Sequence, residues 1–163
     1  MACTDPAGHA GRTYAMIDAR LQIAIREAWP AAIPVSMATA DGAPHGKGAY
    51  ALVIALRAPV TFAQRGTARL LPRGVYVYAG SAHGPGGIGA RLRHHFRREK
   101  LPHWHVDRLT TVADEIEAFA IEGGRECEIV ARLGHLVGMR HQIAGFGSSD
   151  CRTCPSHLLR YSG

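Results

Sequence analysis

Two long apolar runs dominate the pattern along the chain. Residues 48–56, Gly-Ala-Tyr-Ala-Leu-Val-Ile-Ala-Leu, carry no charge and predict a strand. Residues 74–82 alternate β-branched and aromatic side chains before breaking at Gly80, and predict a second. A short apolar stretch at 59–63 lies between them, and Leu70, Leu71 and Pro72 lead into the second run, which suggests an antiparallel meander. Residues 115–121 alternate again, as an edge or third strand, and stop at Gly123-Gly124.

Helical periodicity appears elsewhere. Ile17, Leu21, Ala24, Ile25 and Ala28 recur at helical spacing across 16–29, and Pro30 ends that helix. Residues 90–98 form a very basic helix with Leu92 and Phe96 as its apolar spots. A short helix is expected within 103–109, after Pro102. In 125–136, Cys127, Val130, Ala131, Leu133 and Leu136 make an apolar side. Residues 1–13 read as a disordered lead-in, 31–44 as a loop or linker, and the tail from Gly145 as glycine- and serine-rich. The order predicts an α/β (α+β) domain: a small central antiparallel or mixed sheet of about three strands, flanked by helices. Residues 1–45 are read as an extension with one helix, and 46–163 as the main domain.

Composition narrows the class. With 163 residues the chain is long enough for one domain with its own core, and 47% hydrophobic against 20% charged residues is ordinary for a globular protein. Formal charge is +6 and the cations are mostly arginine, with lysine only at Lys47 and Lys100. Arginine's planar fork suits phosphate oxygens, so a nucleic-acid partner is the natural reading; a solvated basic face is the bland one. No apolar run approaches the ~20 residues of a membrane span, and residues 1–12 lack the apolar core of a signal peptide. The four cysteines, Cys3, Cys127, Cys151 and Cys154, do not form a secreted disulfide framework. The expectation is a cytoplasmic protein with reduced thiols and no membrane association.

The candidate chemistry gathers after the second strand. A glycine-rich loop, 83–87, hands over to the basic helix, so exposed backbone N–H groups and cations are expected at one point that can hold a phosphate. Arg91, His94 and His95 share a face of that helix, while Leu92 and Phe96 point to the core. Arg91 and His95 would then face a phosphate, with Arg93, Arg97 and Arg98 gripping the backbone. Tyr76 and Tyr78 project to one side of their strand, and Tyr50 lies on the preceding one; tyrosine serves as general base or hydrogen-bond donor, and equally as an ordinary strand residue. Glu126 shares the inward side of its helix with Ile129, Val130 and Leu133, where a carboxylate wants an arginine or a metal ion.

Gly48-Ala49-Tyr50 and Tyr78-Ala79-Gly80 resemble the two halves of the GIY-YIG nuclease signature, with alanine at both middles. Arg91, His95 and Glu126-x-x-Ile129-Val130 resemble further elements of it. Residues 74–82, 103–107, 126–128 and 145–151 together resemble its small stand-alone Uri-type branch, over about residues 46–161. That resemblance implies metal-dependent hydrolysis of DNA phosphodiester bonds with one Mg²⁺ or Mn²⁺ per site. It implies that Tyr50 helps activate water, Tyr78 orients water or phosphate, Arg91 stabilises phosphoryl charge and His95 assists proton transfer. Glu126 would hold the metal, and Gly80 and Ser81 would let the DNA backbone come close. Single-stranded, duplex and branched DNA all remain open as substrates, as does RNA, and a non-catalytic nucleic-acid-binding module on the same fold is the alternative.

One further cluster stands apart. Cys151-x-x-Cys154-x-x-His157 has short metal-like spacing, and a fourth ligand such as His103 or His105 would complete a structural Zn²⁺ site. Buried thiols with a hydrogen-bonded histidine are the competing reading. His103-Trp104-His105-x-Asp107 is read as packing Trp104 inward and hydrogen-bonding its polar members.

Overall fold

The computed structural model describes residues 15–163; the expected lead-in over 1–13 lies outside them. Helix α1 (Ala19–Ala28) starts at Asp18, whose carboxylate accepts from the Arg20 N–H at 2.8 Å and so caps the first turn. It begins later than its periodicity suggests because the Met16 and Ile17 N–H groups donate to the Glu115 carboxylate instead, at 2.8 and 3.3 Å. Strand β1 (Ile33–Val35) and a 3-10 segment (Met37–Gly42) follow, in the stretch read as a loop.

The strands are β2 (Gly48–Leu56), β3 (Val60–Gln64), β4 (Thr67–Leu71), β5 (Gly74–Ala82), β6 (Glu115–Glu122), β7 (Met139–His141) and β8 (Leu158–Tyr161). The helices after α1 are α2 (Gly87–Phe96), α3 (Asp107–Thr110) and α4 (Glu126–Gly134). The fold is α+β. Its main sheet has six antiparallel strands in the order β1-β6-β2-β5-β8-β7, and β3 and β4 form a separate hairpin between β2 and β5.

The sheet is therefore twice the expected three strands. The additional β1, β7 and β8 span only three or four residues each, too few to show a period of two. Strand β6 is no edge, because β1 covers its outer side. The hairpin closes through Arg65 (φ 49°) and Gly66 (φ 76°), the two left-handed residues that a tight two-residue turn requires.

Strand β2 is buried at every position, which explains its unbroken apolar run: the sheet is covered on both faces. On one face Tyr50, Leu52, Ile54, Tyr76 and Tyr78 pack with Ile88, Leu92 and Phe96 of α2 and with Val106 and Leu109. On the other, Ala51, Val53, Val75, Val77 and Phe119 pack with Leu21 and Ile25 of α1 and Ile129, Val130 and Leu133 of α4. Burying a leucine- or isoleucine-sized side chain contributes roughly 1.5–3 kcal/mol, so both layers are substantial sources of stability. Strand β2 starts, and β5 and β6 end, at the same end of the sheet, where α2 and α4 also begin.

Candidate functional site

A cleft of about 700 Å³ opens at that end of the sheet. Tyr50, Tyr78 and Ser81 form part of its lining, with Arg91 and Trp104 from the α2–α3 side. Glu126, Cys127, Cys151 and His157 also line it. Tyr50 pairs with Gly80 and Leu52 with Tyr78, so the two tyrosines are diagonal neighbours on one face. Gly80 is needed there because the Tyr50 ring lies across it: a Cβ would sit 2.2–2.5 Å from the ring carbons and hydroxyl. Gly147 (φ 65°) plays the same part for Tyr78, with a Cβ 2.6 Å from that ring. Tyr76, by contrast, spends its hydroxyl on the Pro72 carbonyl at 2.6 Å, a purely structural bond.

Behind Tyr50 runs a buried relay. The Tyr50 hydroxyl lies 2.7 Å from His95 Nε2. His95 Nδ1 faces Asp107 Oδ1 at 3.5 Å, and neither atom has a closer conventional hydrogen bond. Asp107 Oδ2 accepts from the His103 and Trp104 N–H groups at 2.8 and 3.0 Å and meets His94 Nε2 at 2.9 Å. Lys100 Nζ sits 3.4 Å from Asp107 Oδ1 and donates to the His94 and His95 carbonyls and Thr110 Oγ1 at 2.9, 3.1 and 2.8 Å. His95 thus lies under the tyrosine and out of the cleft lining, with 1% exposure.

The charges follow from this arrangement. Burial pushes Asp107 up, but hydrogen bonds from His95, His94 and the two backbone N–H groups outweigh it and hold the carboxyl well below the usual range. Burial pulls His95 down to about 4, so it is neutral at neutral pH. With Asp107 beside Nδ1, the favoured tautomer carries its proton there and leaves Nε2 to accept from Tyr50. Burial raises Tyr50 well above its ordinary value and Tyr78 to about 12, so both stay protonated. His94, His95 and Asp107 are close enough to hold a metal ion, but Lys100 already supplies the positive charge there.

Arg91 stacks on Trp104, its guanidinium carbon 4.3 Å from the ring centroid, and has no carboxylate partner among the described residues. Glu126 is half-buried in the cleft wall and likewise has no hydrogen-bond or ion-pair partner among them. Of the remaining predicted contacts, Ser81 lines the cleft while Gly80 lies beneath the Tyr50 ring. His94 belongs to the relay, Arg93 lies beside Gly89, Arg97 is exposed, and Arg98 donates to the Ala113 carbonyl.

The first turn of α2, which the glycine-rich loop leads into, does not present free N–H groups. The amides of Gly87, Ile88 and Gly89 donate to the carbonyls of Gly84, Gly46 and Pro44 at 3.3, 3.0 and 2.7 Å. Gly87 (φ 61°) is required because a Cβ would lie 2.1 Å from the His45 carbonyl oxygen. These glycines serve a close approach of backbone to backbone.

The cysteine cluster gains a member that spacing did not reveal. Cys127, Cys151, Cys154 and His157 place one ligand atom each within 4.8 Å of one another. The fourth member of the cluster is Cys127, from the first turn of α4, and not His103 or His105. His105 Nδ1 instead accepts from the Gly147 N–H at 3.4 Å. Hydrogen bonds from Thr153 and the Cys154 amide pull the Cys151 thiol down to about 5, whereas burial pushes Cys127 up to about 12.

Fold and site together define a three-layer α+β domain whose cleft joins a buried tyrosine–histidine–aspartate relay to a thiol-rich wall. A family model described as a domain of unknown function, DUF123, matches residues 49–163, and the chain belongs to that family. No curated protein and no solved structure matches it. No GIY-YIG family match accompanies this one, which overturns the resemblance drawn from the short motifs. The physical reason lies in the motifs themselves. Glycine–tyrosine triplets on paired strands arise wherever a tyrosine ring must lie over a glycine, as Tyr50 lies over Gly80.

Proposed function

We propose that this protein hydrolyses phosphodiester bonds in nucleic acid, with DNA as the primary substrate, at the cleft between Tyr50 and Glu126. The observation that carries the reading is the relay. Tyr50 donates its proton to neutral His95 Nε2, which leaves the phenolic oxygen free to accept from a water in the cleft. Because burial keeps Tyr50 protonated, it acts as a base by passing its own proton to His95 as it takes one from the water. The imidazolium formed faces the ionised Asp107, the same logic by which a carboxylate supports a histidine base elsewhere.

The rest of the cleft suits a phosphoryl group. Arg91, with no carboxylate partner among the described residues, is placed to stabilise charge building on the non-bridging oxygens. Tyr78, also protonated, offers a second donor. Glu126 is a carboxylate of the cleft wall without a hydrogen-bond or ion-pair partner among the described residues, a hard oxygen donor that suits one Mg²⁺ or Mn²⁺ retaining most of its waters. Such an ion, when bound, supplies Lewis-acid stabilisation of the leaving oxygen. The formal charge of +6 favours a polyanionic partner over a small neutral one.

The test is a gel assay of labelled single-stranded, duplex and branched DNA, and RNA, with Mg²⁺, Mn²⁺ or chelator. Tyr50→Phe and Glu126→Gln are run alongside. Metal-dependent cleavage is expected, reduced about 10²–10⁴-fold in each variant, with binding retained. Retention of nucleic acid without cleavage in any metal would assign the protein as a binding module instead.

A further inference from the structure

We propose that Cys127, Cys151, Cys154 and His157 form a closed, tetrahedral Zn²⁺ site that pins the loop between β7 and β8 to helix α4. The inference does not depend on what the cleft binds. Its first support is distance. Cys127 Sγ lies 3.5 Å from Cys151 Sγ and 3.9 Å from His157 Nε2. Tetrahedral zinc with its usual bond lengths sets sulfur–sulfur and sulfur–nitrogen separations of about 3.8 and 3.6 Å. Four ligand atoms within 4.8 Å of one another suit one ion and leave no room for a polynuclear iron–sulfur core. They also supply all four positions of a structural site, with none open for catalysis.

The second support is how the ligands are held. His157 is buried and clamped through its backbone: its N–H donates to the Phe146 carbonyl at 2.9 Å, and its carbonyl accepts from the Ala79 N–H at 3.0 Å. Cys127 is fixed by the first turn of α4. One ligand therefore stands on a helix, and a second is held by backbone hydrogen bonds immediately before β8. Cys151 and Cys154 come from the loop, where Cys151 Sγ accepts from the Cys154 N–H at 3.2 Å and meets Thr153 Oγ1 at 3.4 Å. Hydrogen bonds of this kind to sulfur stabilise a ligating thiolate.

The third support is what the loop lacks. Between β7 and β8 there is no strand or α-helix, only turns such as Cys151 N–H to the Ser148 carbonyl at 3.0 Å and Gly145 N–H to the Pro155 carbonyl at 2.8 Å. A metal joining its tip to α4 supplies the cross-link that secondary structure does not. Because Cys127 follows Glu126, and Gly147 lies against the Tyr78 ring, the same cross-link fixes one side of the cleft.

The experiment uses the full chain purified under reducing conditions without added metal. One zinc per chain is expected by elemental analysis. Replacement by Co²⁺ should give intense sulfur-to-cobalt charge transfer and strong visible bands of a tetrahedral complex. Cys127→Ser and Cys154→Ser should each weaken the charge-transfer band. Hydrogen exchange of the wild-type protein after chelation should speed up across 143–157 while β2 and β5 stay protected. A folded, reduced wild-type protein without stoichiometric metal or a cobalt spectrum would overturn the site, as would a Cys127–Cys151 disulfide or an iron chromophore. Zinc bound with unchanged exchange on chelation would overturn its bracing role. None of these readouts involves nucleic acid, so failure here and failure of the nuclease reading are told apart.

Discussion

The two walls of the cleft are held by different means. On the α2–α3 side the charges balance within the chain: Asp107 is ringed by His94, His95, Lys100 and two backbone N–H groups. On the loop side three thiols and an imidazole converge, and none of them has an ion-pair partner among the described residues. The first wall is complete as the polypeptide folds, whereas the second gathers donors that repel one another once ionised. A buried anion accompanied by its own lysine makes a fixed support for a catalytic group. A thiol cluster without one would, on the zinc proposal, make a support that depends on a bound ion.

The largest effect should come from breaking the self-contained wall. Asp107→Ala leaves Lys100, whose side chain is 5% exposed, buried without its counter-charge. A loss of about 3–5 kcal/mol is expected, read by denaturant unfolding, and chelation of the wild-type protein should not reproduce it. A loss under about 1 kcal/mol would mean that Asp107 is not the hub of this wall.

Acid should produce the next largest effect, also confined to this wall. His95 is depressed in the folded protein to about 4 from an ordinary 6.5, so between these values the unfolded chain binds the extra proton. The stability from keeping His95 neutral is therefore complete above pH 6.5 and falls with pH until about 4, by roughly 3 kcal/mol in all. Asp107, depressed too, adds a loss only below its unfolded value of about 4. His95→Gln should abolish the slope between pH 6.5 and 4. The slope should persist in chelated wild-type protein, since acid release of a metal from the thiols cannot contribute there. A slope that vanishes on chelation would place the acid sensitivity on the other wall.

Gly80→Ala probes the floor between the walls. A Cβ 2.2 Å from the Tyr50 ring must push it off His95, for about 1–3 kcal/mol. It should also reproduce the activity defect of Tyr50→Phe. Unchanged stability and activity would mean that the ring can yield without losing the relay.

How far these features were legible depended on how local their causes are. Strand β5 continues past the break expected at Gly80 to Ala82, whereas β2 read correctly to the residue, because burial on both faces leaves a continuous apolar run. Strands β1, β7 and β8 did not, since three or four residues owe their pairing to partners distant in sequence. Tyr50, Tyr78, Arg91 and Glu126 were all named as candidates, and the structure gathers them at one cleft. His95 was expected beside Arg91 facing a phosphate, but the inward face of α2 is wide enough to bury it with Leu92 and Phe96. Cys127 was read as part of an apolar stripe; only the fold carries α4 back to a loop 24 residues later. The glycine loop misled for a related reason. Glycines that admit a phosphate and glycines that admit a neighbouring carbonyl look alike until the neighbour is placed.

The smallest stability effect is expected at Arg97, and it bears on where a polyanion would lie. Arg97 is exposed just past the end of α2, and its side chain has no partner among the described residues. Arg97→Ala should therefore change stability by no more than about 0.5 kcal/mol. If nucleic acid runs along the α2 wall, the variant should weaken binding evenly across sequences. It should also reduce the slope of log affinity against log salt by about one. Turnover at saturating DNA should stay unchanged, because Arg97 is exposed and does not line the cleft. Arg91→Ala should do the reverse, lowering turnover more than affinity, because its guanidinium sits in the cleft against Trp104. Equal losses of turnover from both would make Arg91 one more phosphate contact. No change in salt slope at Arg97 would shift the path of the polyanion off α2, toward the loop that carries Cys151 and Cys154.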